Sequence, residues 1–175
     1  MKILAFGASN SSTSINRQLA TYVAHQINNA EVTLLDLNDF EMPIYSIDRE
    51  KESGIPSLAE TFKQHVREAD KIIISLAEHN GSYTVAFKNI MDWISRIEGD
   101  TWENKPFFLL STSPGARGGA SVLETAVVRF GYLKAVVTAH FSLPKFYDNF
   151  DESLGITDPD LNKSMIEQLN IFIGE

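Results

Sequence analysis

The sequence of 175 residues contains no cysteine, which excludes disulfide bonds, thiolate nucleophiles and cysteine-ligated metals. Basic residues are in the minority, with 15 Lys and Arg against 23 Asp and Glu. The net charge of −8 opposes binding to nucleic acid or to an anionic membrane surface, because both need a basic footprint. An anionic ligand would therefore have to be held by local dipoles rather than by the field of the whole protein.

Long apolar runs are also missing. No stretch approaches the roughly 20 apolar residues that span a bilayer, and the run in "MKILAFGASN" is too short for a signal peptide core. We therefore expect a soluble protein of the cytoplasm, a compartment with which the lack of cysteine agrees. At this length, and with 43% hydrophobic residues, we expect a single domain over residues 1–175 with a substantial core.

Metal-ligand spacing is absent as well. The four histidines are dispersed along the chain, and they form neither an i, i+4 pair nor an H-E-x-x-H motif. These residues are His25, His65, His79 and His140. We predict no metal site.

What the sequence does contain is a regular alternation of buried strands and amphipathic helices. Strands are predicted over 2–6, 31–37, 71–76, 106–112 and 134–140, and helices over 15–27, 57–70, 83–97, 120–130 and 159–173. Ser57 and Asp158 are the predicted N-caps of two helices, with Glu60 completing a capping box after Ser57. Residues 38–56 are predicted to be a long irregular loop.

The predicted strands are continuous apolar runs, which is typical of a parallel sheet covered on both faces. Right-handed crossovers then give a three-layer α/β domain. With the strand order 2-1-3-4-5, a ligand binds beyond the carboxyl ends of the strands, between the first and the third. Three polar segments follow strands one, three and four, and all would meet at that rim: "GASNSSTSIN", "AEHNGSY" and "STSPGARGGAS".

The first segment has two interpretations. It lacks both G-x-G-x-x-G and G-K-[ST], but its side chains precede a helix whose first-turn amides, including that of Ile15, have no partner within the helix. The side chains of Ser9, Ser11, Ser14 and Asn16 could add donors around a phosphate. The alternative is that Ser14 caps the helix and the rest form a solvated turn.

The other two segments are equally open. Asn80-Gly81 signals a turn, but Gly81 could also let backbone approach a flat ring, with amides near Glu78, His79 and Asn80 at its polar edge and the His79 ring stacked on it. "STSPGARGGAS" is either a flexible loop leading into a helix or a wall for the same ring.

Taken together, the three segments resemble the NADPH-dependent FMN reductase family, which includes flavodoxin-like quinone, azo and chromate reductases. The family patterns G-S-x-R-x-x-S-x-N, P-E-Y-N-G-S, L-K-N-x-I-D-W and S-x-G-x-x-G-G correspond to "ASNSSTSIN", "AEHNGS", "FKNIMDW" and "SPGARGG". The matching residues are Ser9, Ser14, Asn16, Glu78, Asn80, Gly81, Ser82, Lys88, Asn89, Asp92, Trp93, Ser113, Gly115, Gly118 and Gly119. The resemblance covers roughly residues 1–140, in the same order and spacing.

The resemblance implies a flavodoxin-like sandwich that binds FMN and takes NADPH or NADH as co-substrate. It implies that the flavin does the chemistry, so no catalytic side chain is predicted. The implied cofactor-binding residues are Ser9, Ser11, Ser14, Ile15, Asn16, Glu78, His79, Asn80, Gly81, Ser113, Gly115 and Gly118. The implied acceptor is a small molecule such as a flavin, quinone, azo compound or metal oxyanion.

Three residues depart from the family pattern. Ser11 stands where the family has an arginine that contacts phosphate, Ala77 replaces a proline, and His79 replaces a tyrosine beside the ring. We expect weaker FMN binding, because a charge-assisted hydrogen bond is lost. Arg17 and Arg117 are the nearest cations in sequence, and the sequence does not decide whether either compensates.

The helix predicted over 83–97 carries more apolar residues than one inward stripe needs: Val85, Phe87, Ile90, Met91, Trp93, Ile94 and Ile97. Together with the resemblance, this predicts a homodimer or homotetramer, and the alternative is a helix buried on two sides within one chain. The segment "KFYDNFDESLG" (145–155) is predicted to be a surface loop, the alternative being part of a neighbouring rim.

Two rival functions remain open from the sequence. One is a flavodoxin-type electron carrier that binds FMN but has no nicotinamide site, which the acidic charge suits. The other is a non-enzymatic nucleotide or sugar-phosphate binder on the same fold, which the missing arginine suits.

Overall fold

The computed structural model describes residues 1–174, and its centre is a five-stranded parallel sheet. The strands are β1 (Lys2–Ala8), β2 (Glu31–Leu35), β3 (Lys71–Leu76), β4 (Pro106–Thr112) and β5 (Val136–Leu143). Their order is β2-β1-β3-β4-β5. This confirms the predicted fold class and strand order, and the predicted bounds of β3 and β4 agree with those observed.

Helices connect and cover the strands. They are α1 (Ile15–His25), α2 (Ile47–Ser53), α3 (Ser57–Glu68), α4 (Val85–Ile94), α5 (Ala120–Tyr132), α6 (Phe146–Asn149) and α7 (Pro159–Ile173). The closing helix has the predicted bounds, and the carboxylate of Asp158 caps it by accepting from the backbone of Asp160 and Leu161. β5 is displaced by a few residues from its predicted bounds.

The prediction of an irregular segment over 38–56 was wrong at two places, although residues 41–46 and 54–56 are irregular. A 3-10 helix spans Leu37–Phe40, with Asp36 as its N-cap, and α2 follows Ser46, whose hydroxyl accepts from the backbone of Arg49. Helix α2 has no buried residue, so it has none of the apolar periodicity by which a helix is detected. Capping rather than burial defines it.

Two smaller predictions also need correction. Pro56 occupies the N-cap position of α3, and Ser57 is the first helical residue with no side-chain cap bond, so the capping box does not form. The segment 145–155, predicted as a surface loop, contains α6 and a short hairpin of β6 (Phe150–Asp151) and β7 (Gly155–Ile156). Gly155 lies so close to the ring of Tyr22 that a Cβ there would overlap it.

Two apolar layers sandwich the sheet. Helices α1 and α7 pack on one face, where Val23 and Phe172 meet strand residues such as Phe108. Helices α3, α4 and α5 pack on the other face. Because elements from β1 to α7 contribute to these layers, residues 2–173 form a continuous packed body.

The apolar surplus on α4 is explained within one chain. Val85 is 69% exposed, but Phe87, Ile90, Met91, Trp93, Ile94 and Ile97 are buried. Helix α4 lies between the sheet and the segment 40–45, so it is covered on two sides. The argument from α4 to a partner chain was therefore wrong, although the homo-oligomer itself stays a prediction.

Candidate functional site

The carboxyl ends of β1, β3 and β4 converge on a cleft of about 250 Å³. Ala8 pairs with Leu76, and Leu76 with Ser111, so the loops that follow these strands begin side by side. Of the predicted site residues, the cleft is lined by Ser9, Ser11, Ser14, Ile15, Asn16, Glu78, His79 and Ser113. It is not lined by Asn80, Gly81, Gly115 or Gly118.

The start of α1 supplies backbone donors to this cleft. Ser14 is the N-cap, and its hydroxyl accepts from the backbone of Arg17 at 3.2 Å. The N–H groups of Ile15 and Asn16 have no acceptor within residues 1–174. They carry the positive end of the helix dipole, which favours an anion.

Gly7, which was not among the predicted site residues, allows α1 to begin next to the end of β1. A Cβ on Gly7 would overlap the backbone of Asn16 and Arg17, with the Arg17 Cα at 2.7 Å. Only glycine lets α1 begin this close to the end of β1. The signal was present in the sequence, as a glycine between an apolar run and a polar segment.

Hydroxyl groups surround the helix start. The Ser9 oxygen accepts from the backbone N–H of Ser11 at 3.2 Å, and the Ser11 and Thr13 hydroxyls lie 3.5 Å apart. Ser9 and Ser14 use only their oxygens as acceptors among the described residues, so both O–H hydrogens stay available to a ligand. The mouth of the β1–α1 connection therefore presents free donors from the hydroxyls of Ser9 and Ser14 and from two amides, beside the Ser11–Thr13 pair, in which one hydroxyl donates to the other.

Asn16 has a different role from the one its sequence position suggests. It is 3% exposed, and its Oδ1 accepts from the Ser75 hydroxyl at 2.7 Å and from the Thr112 backbone at 3.1 Å. Its Nδ2 donates to the Thr112 carbonyl at 3.2 Å. The Asn16 amide thus joins α1 to β3 and β4, and one of its N–H hydrogens is left for the cleft.

Neither candidate cation lines the cleft. The Arg17 guanidinium pairs with Asp36 and donates to the Ser12 carbonyl at 3.0 Å. The pKa of Asp36 is lowered, first by the backbone N–H of Asn38 and, less strongly, by the charge of Arg17. Arg117 is exposed and donates to the Ser121 hydroxyl at 3.1 Å. The cleft lining has no lysine or arginine among the residues described.

The predicted turn at Asn80-Gly81 forms a tight β-turn. Its outer residues exchange two backbone bonds, from His79 N–H to the Ser82 carbonyl at 2.9 Å and back at 3.1 Å. Both central residues have positive φ, 53° at Asn80 and 76° at Gly81, which is typical of a type I′ turn. The amide of His79 is thus used within the turn, whereas that of Asn80 has no acceptor within residues 1–174. The space beside Gly81 is open.

Glu78 connects this turn to the next loop. Its carboxylate accepts from the backbone of Val122 at 3.1 Å, in the first turn of α5. Gly119, the N-cap residue of α5, has no side chain to do so. Glu78 therefore stabilises the start of α5 by capping and by its charge at the helix N-terminus.

The loop after β4 is packed against the chain rather than open. The Gly118 carbonyl accepts from the hydroxyls of Ser111 at 2.8 Å and Ser142 at 3.0 Å. The Gly115 carbonyl accepts from the backbone of Lys145 at 2.9 Å. A Cβ on Gly118 would lie 2.8 Å from the Pro144 nitrogen, so this glycine serves packing. Of the predicted residues in this loop, only Ser113 lines the cleft.

Five lining residues were absent from the predicted set: Thr13, Ala77, Thr112, Pro114 and Tyr147. Thr13 was visible as one more hydroxyl in the first segment. Tyr147, in α6, is brought over the cleft because the backbone of Phe146 donates to the Ser113 carbonyl at 3.1 Å. This hydrogen bond joins two segments that are distant in sequence, so no local sequence pattern predicts it.

Residues 1–174 provide neither a metal centre nor a membrane span. Across them, no three His, Cys, Asp or Glu side chains come together in a way that could hold a metal ion. None of the helices they form combines the length and the apolar character that a bilayer crossing requires.

The sequence of this chain matches known proteins. Residues 1–148 match the family model of the NADPH-dependent FMN reductases. A quinone reductase of Escherichia coli K12 is 34% identical over 80 residues, which are 46% of this chain and 43% of that one. A 2-hydroxy-1,4-benzoquinone reductase of a Burkholderia species is 33% identical over 142 residues, 80% of this chain and 74% of that one. The match thus spans less than half of the Escherichia coli relative.

A solved structure resembles the fold. FerB of Paracoccus denitrificans, a flavoenzyme NAD(P)H:(acceptor) oxidoreductase, superimposes with a TM-score of 0.78 and 23% identity, covering 99% of this chain and 95% of FerB. At that identity the likeness concerns the fold alone. The family model, by contrast, covers most of the sequence and includes all four motifs quoted above. The chain therefore belongs to the NADPH-dependent FMN reductase family.

Proposed function

We propose that this protein is an FMN-dependent NAD(P)H oxidoreductase that passes reducing equivalents to a small acceptor. The observation that carries the proposal is the set of free donors at the β1–α1 mouth, namely the N–H groups of Ile15 and Asn16 with the surrounding hydroxyls. A phosphate fits this set without a lysine or arginine, because a helix N-terminus binds anions through its amides and its dipole.

The cleft also suits the ring of FMN. Glu78, His79, Ser113, Pro114 and Tyr147 line the cleft, and the turn that directly follows His79 has a free N–H at Asn80 and open space beside Gly81. We infer that Ser9, Ser11, Ser14, Ile15 and Asn16 bind the phosphate. We further infer that Glu78, His79, Asn80, Gly81 and Ser113 contact the ring, with Gly115 and Gly118 shaping the loop behind it.

Bound FMN would supply the chemistry of hydride and electron transfer between the nicotinamide and the acceptor. For a quinone, the overall reaction converts NAD(P)H, a proton and the quinone into NAD(P)⁺ and the hydroquinone. The residues of this chain that line the cleft would bind and orient the cofactor. The relatives named as quinone reductases support such an acceptor.

The visible spectrum of the purified protein, followed by anaerobic addition of NADPH or NADH and then a quinone, tests this function. We expect a yellow protein whose flavin absorbance is bleached by the nicotinamide and restored by the quinone. A yellow protein that is not bleached would instead be an electron carrier. A colourless protein whose melting temperature is unchanged by FMN would be a non-enzymatic binder.

We also infer a homodimer or homotetramer located in the cytoplasm, acting as a single domain over 1–175. Family resemblance supports the oligomer, the cysteine-free sequence agrees with the compartment, and the continuous packing of residues 2–173 supports the single domain. Sedimentation equilibrium measures the mass. A monomer at all concentrations would contradict the oligomer.

A further inference from the structure

A second cavity of about 250 Å³ lies next to the cofactor cleft, and His79 lines both. Its floor is apolar and is built by the buried side chains of Phe40 and Met42. Its mouth is flanked by Ile44 and Val85, which are 64% and 69% exposed. Apart from His79, none of the residues that we infer to bind FMN lines this cavity.

The outer wall of this cavity is fixed by the motif on α4. Asn89 accepts from the backbone of Tyr45 at 2.8 Å and donates to the carbonyls of Met42 at 3.0 Å and Pro43 at 3.2 Å. Trp93 adds a bond from its indole N–H to the Pro43 carbonyl at 2.7 Å. Asn89 and Trp93 of α4 thus make four hydrogen bonds that hold the irregular segment 42–45 in place.

A second set of contacts reinforces the same segment. The Tyr45 ring meets the Trp93 ring edge-on at 5.0 Å, and its hydroxyl donates to Glu50 at 2.9 Å. Glu50 in turn pairs with Arg96 at 3.0 Å. The wall is therefore built by the chain itself, and the cavity is formed in advance of any ligand.

The polar groups that remain free decide what this cavity can bind. Asn89 uses both N–H hydrogens and its oxygen within the chain, and the Thr84 hydroxyl donates to the Ala8 carbonyl at 2.9 Å. Asn10, Glu41 and His79 are exposed, and their side chains make no hydrogen bond or ion pair within residues 1–174. Glu41 is the one carboxylate of the lining, and neither lysine nor arginine lines the cavity as far as the described chain goes.

We propose that this cavity is the subsite for the electron acceptor, that it takes an uncharged planar compound of one or two rings, and that Glu41 discriminates against anionic acceptors. This inference rests on the proposed function. The apolar floor suits a ring, and the volume is below the about 300–1,000 Å³ of sites for drug-sized ligands. The carboxylate repels a like charge at the mouth, where solvent screening is incomplete.

Steady-state kinetics with two matched acceptors test the charge selectivity. The acceptors are 1,4-naphthoquinone and its 2-sulfonate, and the quantity is the ratio of kcat/KM for the sulfonate to that for the uncharged quinone. We expect Glu41→Gln to raise this ratio about fivefold or more, because a like charge is removed. Glu167→Gln, which removes a carboxylate from the exposed face of α7, is the control and leaves the ratio within about twofold. Equal ratios in both variants would overturn the proposal.

A second variant separates the acceptor subsite from a subunit contact. Val85→Lys places a cation at the mouth, on an exposed first residue of α4 where folding tolerates it. We expect the same ratio to rise about fivefold or more. A changed mass in sedimentation with an unchanged ratio would assign Ile44 and Val85 to a subunit interface and overturn the proposal.

Amide chemical shifts give a readout that does not depend on turnover. Oxidised FMN-loaded protein and the FMN-free chain are each titrated with 1,4-naphthoquinone without nicotinamide, and shifts are expected at Asn10, Glu41, His79 and Val85. Turnover without these shifts would overturn this inference alone. Shifts without any oxidation of NADPH or NADH would overturn the acceptor assignment together with the proposed function.

Discussion

The loop after β1 and the loop after β4 are similar in composition, but they differ in their hydrogen bonding. The first has donors without partners, whereas the second is bonded to neighbouring elements of the protein. In residues 9–16, the N–H groups of Ile15 and Asn16 and the hydroxyl hydrogens of Ser9 and Ser14 have no partners in the described chain. In residues 113–119, the Gly115 and Gly118 carbonyls are bonded to β4, β5 and the start of α6. A polar, glycine-rich loop at a rim is therefore a ligand site only where its donors are left free.

Gly118→Val tests the packed loop and has the largest expected effect. Gly118 has a φ of 58°, and a Cβ would lie 2.8 Å from the Pro144 nitrogen and 2.9 Å from the Leu143 carbonyl carbon. We expect the free energy of unfolding to fall by about 4 kcal/mol from backbone strain and overpacking. Urea denaturation measures it. Gly115→Ala is the control, because its nearest neighbour is the Ser113 hydroxyl at 3.7 Å, and it should change stability by less than about 0.5 kcal/mol. Equal losses of stability in Gly118→Val and Gly115→Ala would contradict the account.

Asn16→Ala tests the residue at the start of α1 whose side chain bonds to β3 and β4. It removes three buried hydrogen bonds to Ser75 and Thr112, so stability should fall by about 3 kcal/mol. Ser75→Ala removes only one of the three and should cost about 1 kcal/mol. Thermal and urea unfolding of both variants give the comparison. If Asn16→Ala weakened FMN binding without loss of stability, its amide would be a ligand group rather than a clamp.

Gly81→Val tests the turn that we propose to contact the ring. The space beside Gly81 is open, and the proposed function places the ring against this turn, so the valine side chain would compete with the ring for that space. We expect FMN affinity to fall about 50-fold, a loss near 2.3 kcal/mol. Stability should fall by about 1–2 kcal/mol, because φ is 76°. Gly81→Ala separates the two effects, since it keeps the strain with little bulk. Stoichiometric flavin in Gly81→Val, measured by absorbance, would place the ring elsewhere.

Ser14→Ala tests a donor of the open loop. It should weaken FMN by about 1–2 kcal/mol, the value of a hydrogen bond to a charged group. It should also cost about 1 kcal/mol of stability through loss of the α1 cap. Isothermal titration calorimetry measures the first quantity, and Ser12→Ala is the control because Ser12 does not line the cleft. Equal affinities in the two variants would count against the phosphate site.

Arg17→Met has the smallest expected effect. The guanidinium faces Asp36, so FMN affinity should change by less than about threefold. The pKa of Asp36 is lowered in the folded protein, chiefly by the backbone N–H of Asn38. The ionised carboxylate therefore stabilises the protein at neutral pH, and this contribution is lost as the pH falls below about 4. A much larger loss of FMN affinity in Arg17→Met would show that Arg17 replaces the missing arginine at Ser11.

The sequence predicted the fold well because burial dominates it. The bounds of β3 and β4 follow from apolar runs that end in polar residues, and α7 is bounded by Asp158 and Gly174. Helix α2 was missed because it buries no residue. Its position depends on the cap at Ser46, a signal too weak to detect without the surrounding structure.

The site was harder to predict, because it depends on contacts between distant segments. Asn16 bonds to Thr112, 96 residues away, and this partner decides that the amide is a clamp. Gly118 and Gly81 look alike in sequence, but one has neighbours within 3 Å and the other has none within 4 Å. The motif on α4 was recognised by resemblance, and only the structure assigns Asn89 and Trp93 to the segment 42–45.

Calorimetric titration of the flavin-free chain with FMN and with riboflavin tests the central claim most directly, because the two ligands differ only in the phosphate. If the free donors at the mouth of the first β–α connection hold that phosphate, FMN should bind about 100-fold more tightly than riboflavin, and Ser9→Ala with Ser14→Ala should remove most of the difference. Equal affinities of the unsubstituted chain for the two ligands would contradict the account.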